Sequence, residues 1–323
     1  MITPMIREIK KKFPGSFLAT LTQPNTANLL LNNPYLDEII TDDLKKDTFW
    51  KVVKLLRNQH FTHGLLIWPT ERAAYQMFLA GITTRIGVGH KIYEVITGMR
   101  SVDRHNYIPL KHEADFCMDM ARKIGVKTDN LDLEIYVTDE EKTEAYGFLK
   151  SLGVEENEYK VILHTGNLGS SPNWSEDKYF ILLQEILALQ IPNVKILLTA
   201  IEMSDDILNK VNALSDNRVI DISKRIMGLR QFIKIISIMD LFICNSTGPL
   251  HMADALKRKC IGINCHRPMN SVKYWGILNK NSINIEVPED YCNQNCSADK
   301  KICHFENGIS VQQVIDAIKI LIN

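Results

Sequence analysis

The chain has 323 residues, 45% hydrophobic and 24% charged, which is apolar material enough for two cores of ordinary soluble type. Its 38 basic and 38 acidic side chains cancel, so no global field favours nucleic acid. No apolar run is long enough to span a bilayer, and the opening stretch MITPMIREIKKKFPG has no apolar segment of signal-peptide type, so a cytoplasmic protein is the expectation.

Strand-like runs alternate with helical patterns along the chain. FLATLT (17–22) and EIIT (38–41) read as short strands. From 48 to 58 the residues Phe49, Val52, Val53 and Leu56 fall on one helical face. GLLIW (64–68) is a buried-strand run stopped by Pro69; a helix over 71–80 and a strand RIGVG (85–89) follow. Another helix covers 112–124. Thr138 and Glu141 make a capping-box pattern that opens a helix to about residue 152. The short charged region 153–160 is the predicted domain boundary.

The second half repeats the pattern. KVILH (160–164), KILLTA (195–200), VIDIS (219–223), LFICN (241–245) and KCIGIN (259–264) are strands. Between them helices are predicted over 175–190, 205–214, 229–239 and 249–257. Ser175 caps the first, with Glu176 and Asp177 in its first turn as the macrodipole prefers. An amphipathic helix over 310–321 ends the chain. This alternation specifies an α/β fold of two doubly wound, Rossmann-like domains facing a cleft. The expected divisions are 1–155, 156–308, and a C-terminal helix 309–323 able to pack back on the N-terminal domain.

Seven cysteines are present. Cys117, Cys244, Cys260 and Cys265 lie in apolar patterns and read as small buried hydrophobes. Cys292, Cys296 and Cys303 cluster in CNQNCSADKKICH and with His304 could form a Cys3His zinc site. The spacing contains no CxxC pair, so a loop of free or paired thiols is the stronger expectation, and no metal is assigned.

Two loops carry the candidate chemistry. NSTGPLHMADA (245–255) follows the apolar run LFIC and leads into a helix, with Pro249 at the first helical position. A helix N-terminus offers backbone N–H groups and partial positive charge, which suit a phosphate or pyrophosphate. Ser246 and Thr247 add hydroxyls, Gly248 permits close approach, and His251 lies on the first turn. An ordinary capped helix is the competing reading. HTGNLGSSPNW (164–174) also follows a strand, and at about ten residues it exceeds the usual connection of this kind. Its Thr165, Gly166 and Asn167 should emerge at the same sheet edge. Glu202, just past KILLTA, is a candidate ribose ligand, with a solvated loop acid as the competing reading. No GxGxxG follows a strand, which argues against a nucleotide-dependent oxidoreductase.

Five blocks, in order and spacing, resemble the family-9 glycosyltransferases, typified by the ADP-heptose:lipopolysaccharide heptosyltransferases. They are TPMIREIKKKFPG (3–15), LTQPNTANLLLNNPYLDEII (21–40), HTGNLGSSPNWSEDKY (164–179), DLFICNSTGPLHMADAL (240–256), and CNQNC with GISVQQVIDAI (292–318). The resemblance implies a GT-B fold with the donor held mainly by the C-terminal domain. It implies transfer of a sugar, usually heptose, from an ADP-sugar to a lipid-linked saccharide of the lipopolysaccharide core, with inversion and without a bound metal or other cofactor. Ser246, Thr247, Gly248, Pro249 and His251, with Thr165, Gly166 and Asn167, would cradle the diphosphate.

There are departures. The family's first strand and Gly-Asp loop, which carries the carboxylate thought to be the general base, would precede Thr3 and Pro4, so the catalytic residue is unassigned. A sheet without that strand should show unpaired neighbours. A misassigned start is one explanation; a catalytically impaired nucleotide-sugar-binding homologue is the other. Pro172 stands where many relatives have lysine, and Ser246 where many have an acid. The run REIKKK (7–12) is expected to be a solvated helix face, with peripheral contact to the cytoplasmic face of the inner membrane as the alternative.

Overall fold

The computed structural model describes all residues except 47, 90, 167, 168, 170, 201, 202, 298–301 and 323, and the backbone alone of His105. The chain divides into two compact units, Met1–Asp132 and Leu133–Asn323. The division falls before the expected 155/156 boundary. The helix Asp139–Lys150 packs on the helix Leu229–Ile236, where Glu141 accepts two hydrogen bonds from Arg230 (2.7 and 2.5 Å). The predicted capping box is present: Thr138 Oγ1 accepts from the Glu141 N–H at 3.2 Å, and Glu141 Oε2 from the Thr138 N–H at 3.1 Å.

The first unit contains β1 (Ala19–Thr22) and β2 (Glu38–Thr41), paired in parallel, and a separate parallel sheet of β3 (His63–Leu65), β4 (Thr84–Val88) and β5 (Arg100–Val102) in that order. Both sheets feed the same two core layers. Leu18, Leu65 and Ile67 pack with Met5 and Ile9 of the helix Thr3–Lys12 and with Met118 and Met120 of the helix Glu113–Arg122. On the other side Ala19, Leu21, Ile40 and Leu66 pack with Val52 and Leu56 of the helix Phe49–Asn58 and Met77 of the helix Glu71–Leu79. β1 and β3 therefore lie in the same layers, yet no ladder joins them among the described residues.

Two further readings change here. The run 64–68 leaves the sheet after Leu65, and Trp68 is 81% exposed rather than buried, because the chain turns out ahead of Pro69. The basic run 7–12 is not one solvated face. Arg7 is only 2% exposed, and its guanidinium donates to the carbonyls of Asn130 (2.7 Å) and Asp132 (2.9 Å), ending the unit's last loop on its first helix. Lys10 is tied to Asp37 at 2.6 Å. At the end of β2 the Arg72 guanidinium holds the Asp42 carboxyl down to about 2, despite partial burial, with help from Thr48 and Gln76. Asp42 is thus a charged clamp between loops.

The second unit is built on six parallel strands: β6 (Tyr159–His164), β7 (Val194–Thr199), β8 (Val219–Asp221), β9 (Leu241–Asn245), β10 (Lys259–Asn264) and β11 (Ile283–Glu286). Their order is β11-β10-β9-β6-β7-β8, which is the doubly wound Rossmann order, reversing between β6 and β9. β9 is buried along its whole length, as a strand covered by helices on both faces must be. Its apolar run LFIC needs no alternation for that reason. The final helix, Val311–Ile322, packs on the helix Glu176–Ala188 and on β10 and β11. The four cysteines read as buried hydrophobes are buried. No helix among the described residues is long and apolar enough to cross a membrane.

Candidate active site

The loops after β6 and β9 emerge side by side at the carboxyl edge of the second sheet, at the point where strand order reverses. That crevice is where open α/β sheets bind ligands. Asn245, the last residue of β9, is fully buried and donates through Nδ2 to Ser171 Oγ (3.1 Å) and the Pro172 carbonyl (3.0 Å). Ser171 Oγ in turn donates to the Ser246 carbonyl at 2.6 Å. Asn173 Nδ2 donates to the Thr165 carbonyl at 2.8 Å and its Oδ1 accepts from Tyr179 Oη at 2.9 Å. These bonds tie the loop after β6, through Ser171, Pro172 and Asn173, to Asn245 and Ser246 at the end of β9 and to Thr165 at its own start. Asn245, Ser171 and Asn173 were not read as functional from the sequence. The available signal was the amide at the end of an otherwise apolar strand.

The helix after β9 runs Gly248–Ala255, one residue earlier than predicted, so Pro249 occupies its second position. Thr247 is the N-cap, extended at φ −140° and ψ 171°, and its side chain makes no capping hydrogen bond. The cap hydroxyl is therefore not spent on the helix. Ser246 and Thr247 are buried, while Gly248 is exposed, and a Cβ built on Gly248 meets nothing within 4 Å. Close protein packing is not what requires glycine there; the space is open. His251, on the first turn, stacks on Trp275 with ring centroids 5.4 Å apart. Asn167 and Glu202 lie outside the described residues.

His164, the last residue of β6, supports the first loop from beneath. Its Nδ1 is 2.9 Å from Thr199 Oγ1, and its ring lies between Phe232 (5.9 Å) and Phe242 (6.3 Å). Burial pushes its pKa down to about 4, partly offset by a hydrogen bond with the Gly166 backbone. It is a neutral imidazole at neutral pH. Pro172 supplies no cation. Lys178 is nearby, but its Nζ sits 4.4 Å over the Trp174 ring and donates to the Ile309 and Glu306 carbonyls. No cluster of three or more metal-ligating side chains has the geometry to hold an ion among the described residues.

The N–H groups of Leu250 and His251 turn back to the Thr247 carbonyl (3.1 and 3.4 Å) and Pro249 has none, so the exposed Gly248 N–H and the positive end of the helix dipole are what this edge offers a charged leaving group. Comparison with known proteins agrees in scope. The sequence profile of glycosyltransferase family 9 (heptosyltransferase) matches residues 49–304. A protein of Haemophilus influenzae provisionally described as a glycosyltransferase is 25% identical over 284 residues, 85% of this chain and 81% of that protein. Among solved structures, a family-9 glycosyl transferase from Veillonella parvula has a TM-score of 0.80 at 18% identity, covering 99% of this chain and 92% of that one. Escherichia coli ADP-heptose lipopolysaccharide heptosyltransferase II has a TM-score of 0.75 at 15% identity, covering 99% and 93%. An E. coli heptosyltransferase solved with ADP has 0.67 at 13% identity, covering 99% and 94%. The fold is GT-B, and the chain belongs to glycosyltransferase family 9.

Proposed function

We propose that the chain is an inverting transferase that moves a heptose from an ADP-sugar to a lipid-linked saccharide of the lipopolysaccharide core. The reading rests chiefly on the uncapped helix at Thr247–Gly248, tied through Ser171 to the loop after β6. As the glycosidic bond breaks, negative charge grows on the diphosphate. Thr247, the Gly248 N–H and His251 would stabilise it, Thr165, Gly166 and Asn167 would hold the other side, and Glu202 would take the ribose. The ADP and ADP-heptose analogue in the E. coli heptosyltransferase structures support the donor class.

His251→Ala tests the site. Its expected cost is about tenfold or more in ADP affinity by calorimetry, against about 1 kcal/mol of stability from the lost contact with Trp275. Unchanged affinity would mean that the donor lies elsewhere. The second reading, nucleotide-sugar binding without turnover, is favoured by Pro172, which offers the phosphates no charge. ADP-heptose binding without sugar transfer to a core acceptor would select it.

Membrane contact belongs to the same proposal, through the lipid-linked acceptor. Of the basic run, only Lys11 and Lys12 keep their heads in solvent. At roughly 1 kcal/mol each, they give weak, salt-sensitive binding to anionic vesicles. Tight sedimentation with vesicles that persists at high salt would contradict this.

A further inference from the structure

The seven cysteines sort by environment. Cys117, Cys244 and Cys260 are sealed in the cores, and burial pushes the first two thiols up to about 12 and the third well above its usual value. They are inert. The C-terminal group is different. Cys292 and Cys296 stand one turn apart at the end of the helix Glu289–Asn295, with the Cys296 N–H on the Cys292 carbonyl at 3.0 Å. The Ser297 N–H donates to the Ile302 carbonyl at 3.0 Å, and the Ile302 N–H donates to Ser297 Oγ at 2.9 Å. Arg267 Nη2 donates to the carbonyls of both Ser297 (3.2 Å) and Ile302 (2.9 Å).

These bonds bring Ser297 and Ile302 together, and Cys296 and Cys303 are the residues that flank them. Their thiols are hydrogen-bonding neighbours, and the His304 N–H also donates to the Cys296 sulfur. Cys296 is half-buried and Cys303 is exposed, so a small reagent can reach the pair. Adjacent sulfurs on a pair open to reagents are the starting point for a disulfide.

We propose that Cys296 and Cys303 form a thiol–disulfide exchange site whose co-reactant is a low-molecular-weight disulfide. Cys296 is the attacking sulfur. Burial opposes its ionisation, but the His304 N–H, the neighbouring thiols of Cys292 and Cys303 and the Arg267 charge outweigh burial and lower its pKa. The Cys296 thiolate attacks one sulfur of the disulfide RSSR; that S–S bond breaks, RS⁻ leaves, and a mixed disulfide forms on Cys296. Cys303 then loses its proton to solvent and attacks the Cys296 sulfur, and a second RS⁻ leaves. In sum, two protein thiols are oxidised and RSSR is reduced to two RSH. Cys292, at 7% exposure and raised to about 11, is the bystander. The segment runs on into Glu306, which meets Ser175 Oγ and Lys178 Nζ at the start of the helix Glu176–Ala188. The pair therefore sits at the foot of the loop after β6.

The test is incubation of the folded protein with glutathione disulfide, followed by alkylation, intact mass and peptide mapping. Two of the seven thiols should be lost, linked as Cys296–Cys303, and dithiothreitol should restore them. Cys303→Ser should accumulate one glutathione on Cys296. Cys296→Ser should slow reaction at Cys303 about tenfold or more. Far-UV circular dichroism would establish that each variant is folded. Retention of all thiols in the folded protein overturns the proposal, as does equal reactivity of Cys303 in Cys296→Ser. Purification with a tightly bound metal that protects these thiols until chelated also overturns it.

Discussion

Gly248→Asp is expected to lower ADP affinity by roughly 30- to 100-fold while leaving the melting temperature unchanged or slightly raised. The opposite signs make this variant informative. A carboxylate in the first turn of a helix favours the macrodipole by about 0.3–1 kcal/mol. The new Cβ meets nothing within 4 Å, and Gly248 is not in the left-handed region, so neither packing nor backbone conformation resists the change. The same carboxylate would stand where the diphosphate is proposed to bind. Two like charges about 5 Å apart, at the effective dielectric of a partly buried site, repel by about 3 kcal/mol. That is about a hundredfold in the dissociation constant at about 1.4 kcal/mol per decade, the upper end of the expected range. Calorimetric titration with ADP, beside a thermal melt, reads both terms. Unchanged affinity in a folded variant would remove the donor site from this helix and leave Thr247–Gly248 an ordinary helix start.

The second large effect is acid sensitivity of the second unit. The unfolded His164 takes up a proton near its ordinary 6.5, whereas the folded one does so only near 4. Between those values the unfolded state binds more protons, so stability rises with pH. The contribution is fully present above about pH 6.5 and is lost as pH falls towards 4. At 1.36 kcal/mol per pKa unit the loss is about 3 kcal/mol across the window and about 2 kcal/mol by pH 5. In the first unit the clamped Asp42 gives a separate loss below 3.8, since its folded carboxyl titrates near 2. Urea unfolding at pH 7 and pH 5 measures the first part. His164→Gln keeps a polar partner for Thr199 and removes the titration, so the difference between the two pH values should shrink by about 2 kcal/mol. An unchanged difference in the variant would show that other groups govern the acid response.

Much of the architecture was legible in local pattern. LFICN and KCIGIN were bounded as observed, since a continuous apolar run between turn signals describes a strand buried on both faces. Thr138 with Glu141, and Ser175 ahead of Glu176 and Asp177, marked helix starts because capping is a contact within one turn. β5 and β11 were missed; they are short, and what makes them strands is pairing with β4 and β10, not their own composition. The candidate-site residues Thr165, Ser246 and Thr247 were legible as turn chemistry after strands. Their cross-links through Asn245, Ser171 and Asn173 were not, because each bond spans loops distant in sequence.

By itself the sequence determined the α/β class, the family resemblance and the two loops that meet at the sheet edge. Each of these is written in periodicity, capping residues and short motifs, which act over a few residues. The tertiary structure alone decided that the helix Asp139–Lys150 belongs with the second unit, through Arg230 and Glu141. It decided that Arg7 is a buried anchor for the carbonyls of Asn130 and Asp132 and not part of a solvated basic face. It also decided that the thiols of Cys296 and Cys303 are neighbours, with Arg267 bridging the carbonyls of Ser297 and Ile302. In each case a charged or polar side chain takes its role from partners far along the chain. Its cost or benefit is set by burial and hydrogen bonding that no local pattern contains.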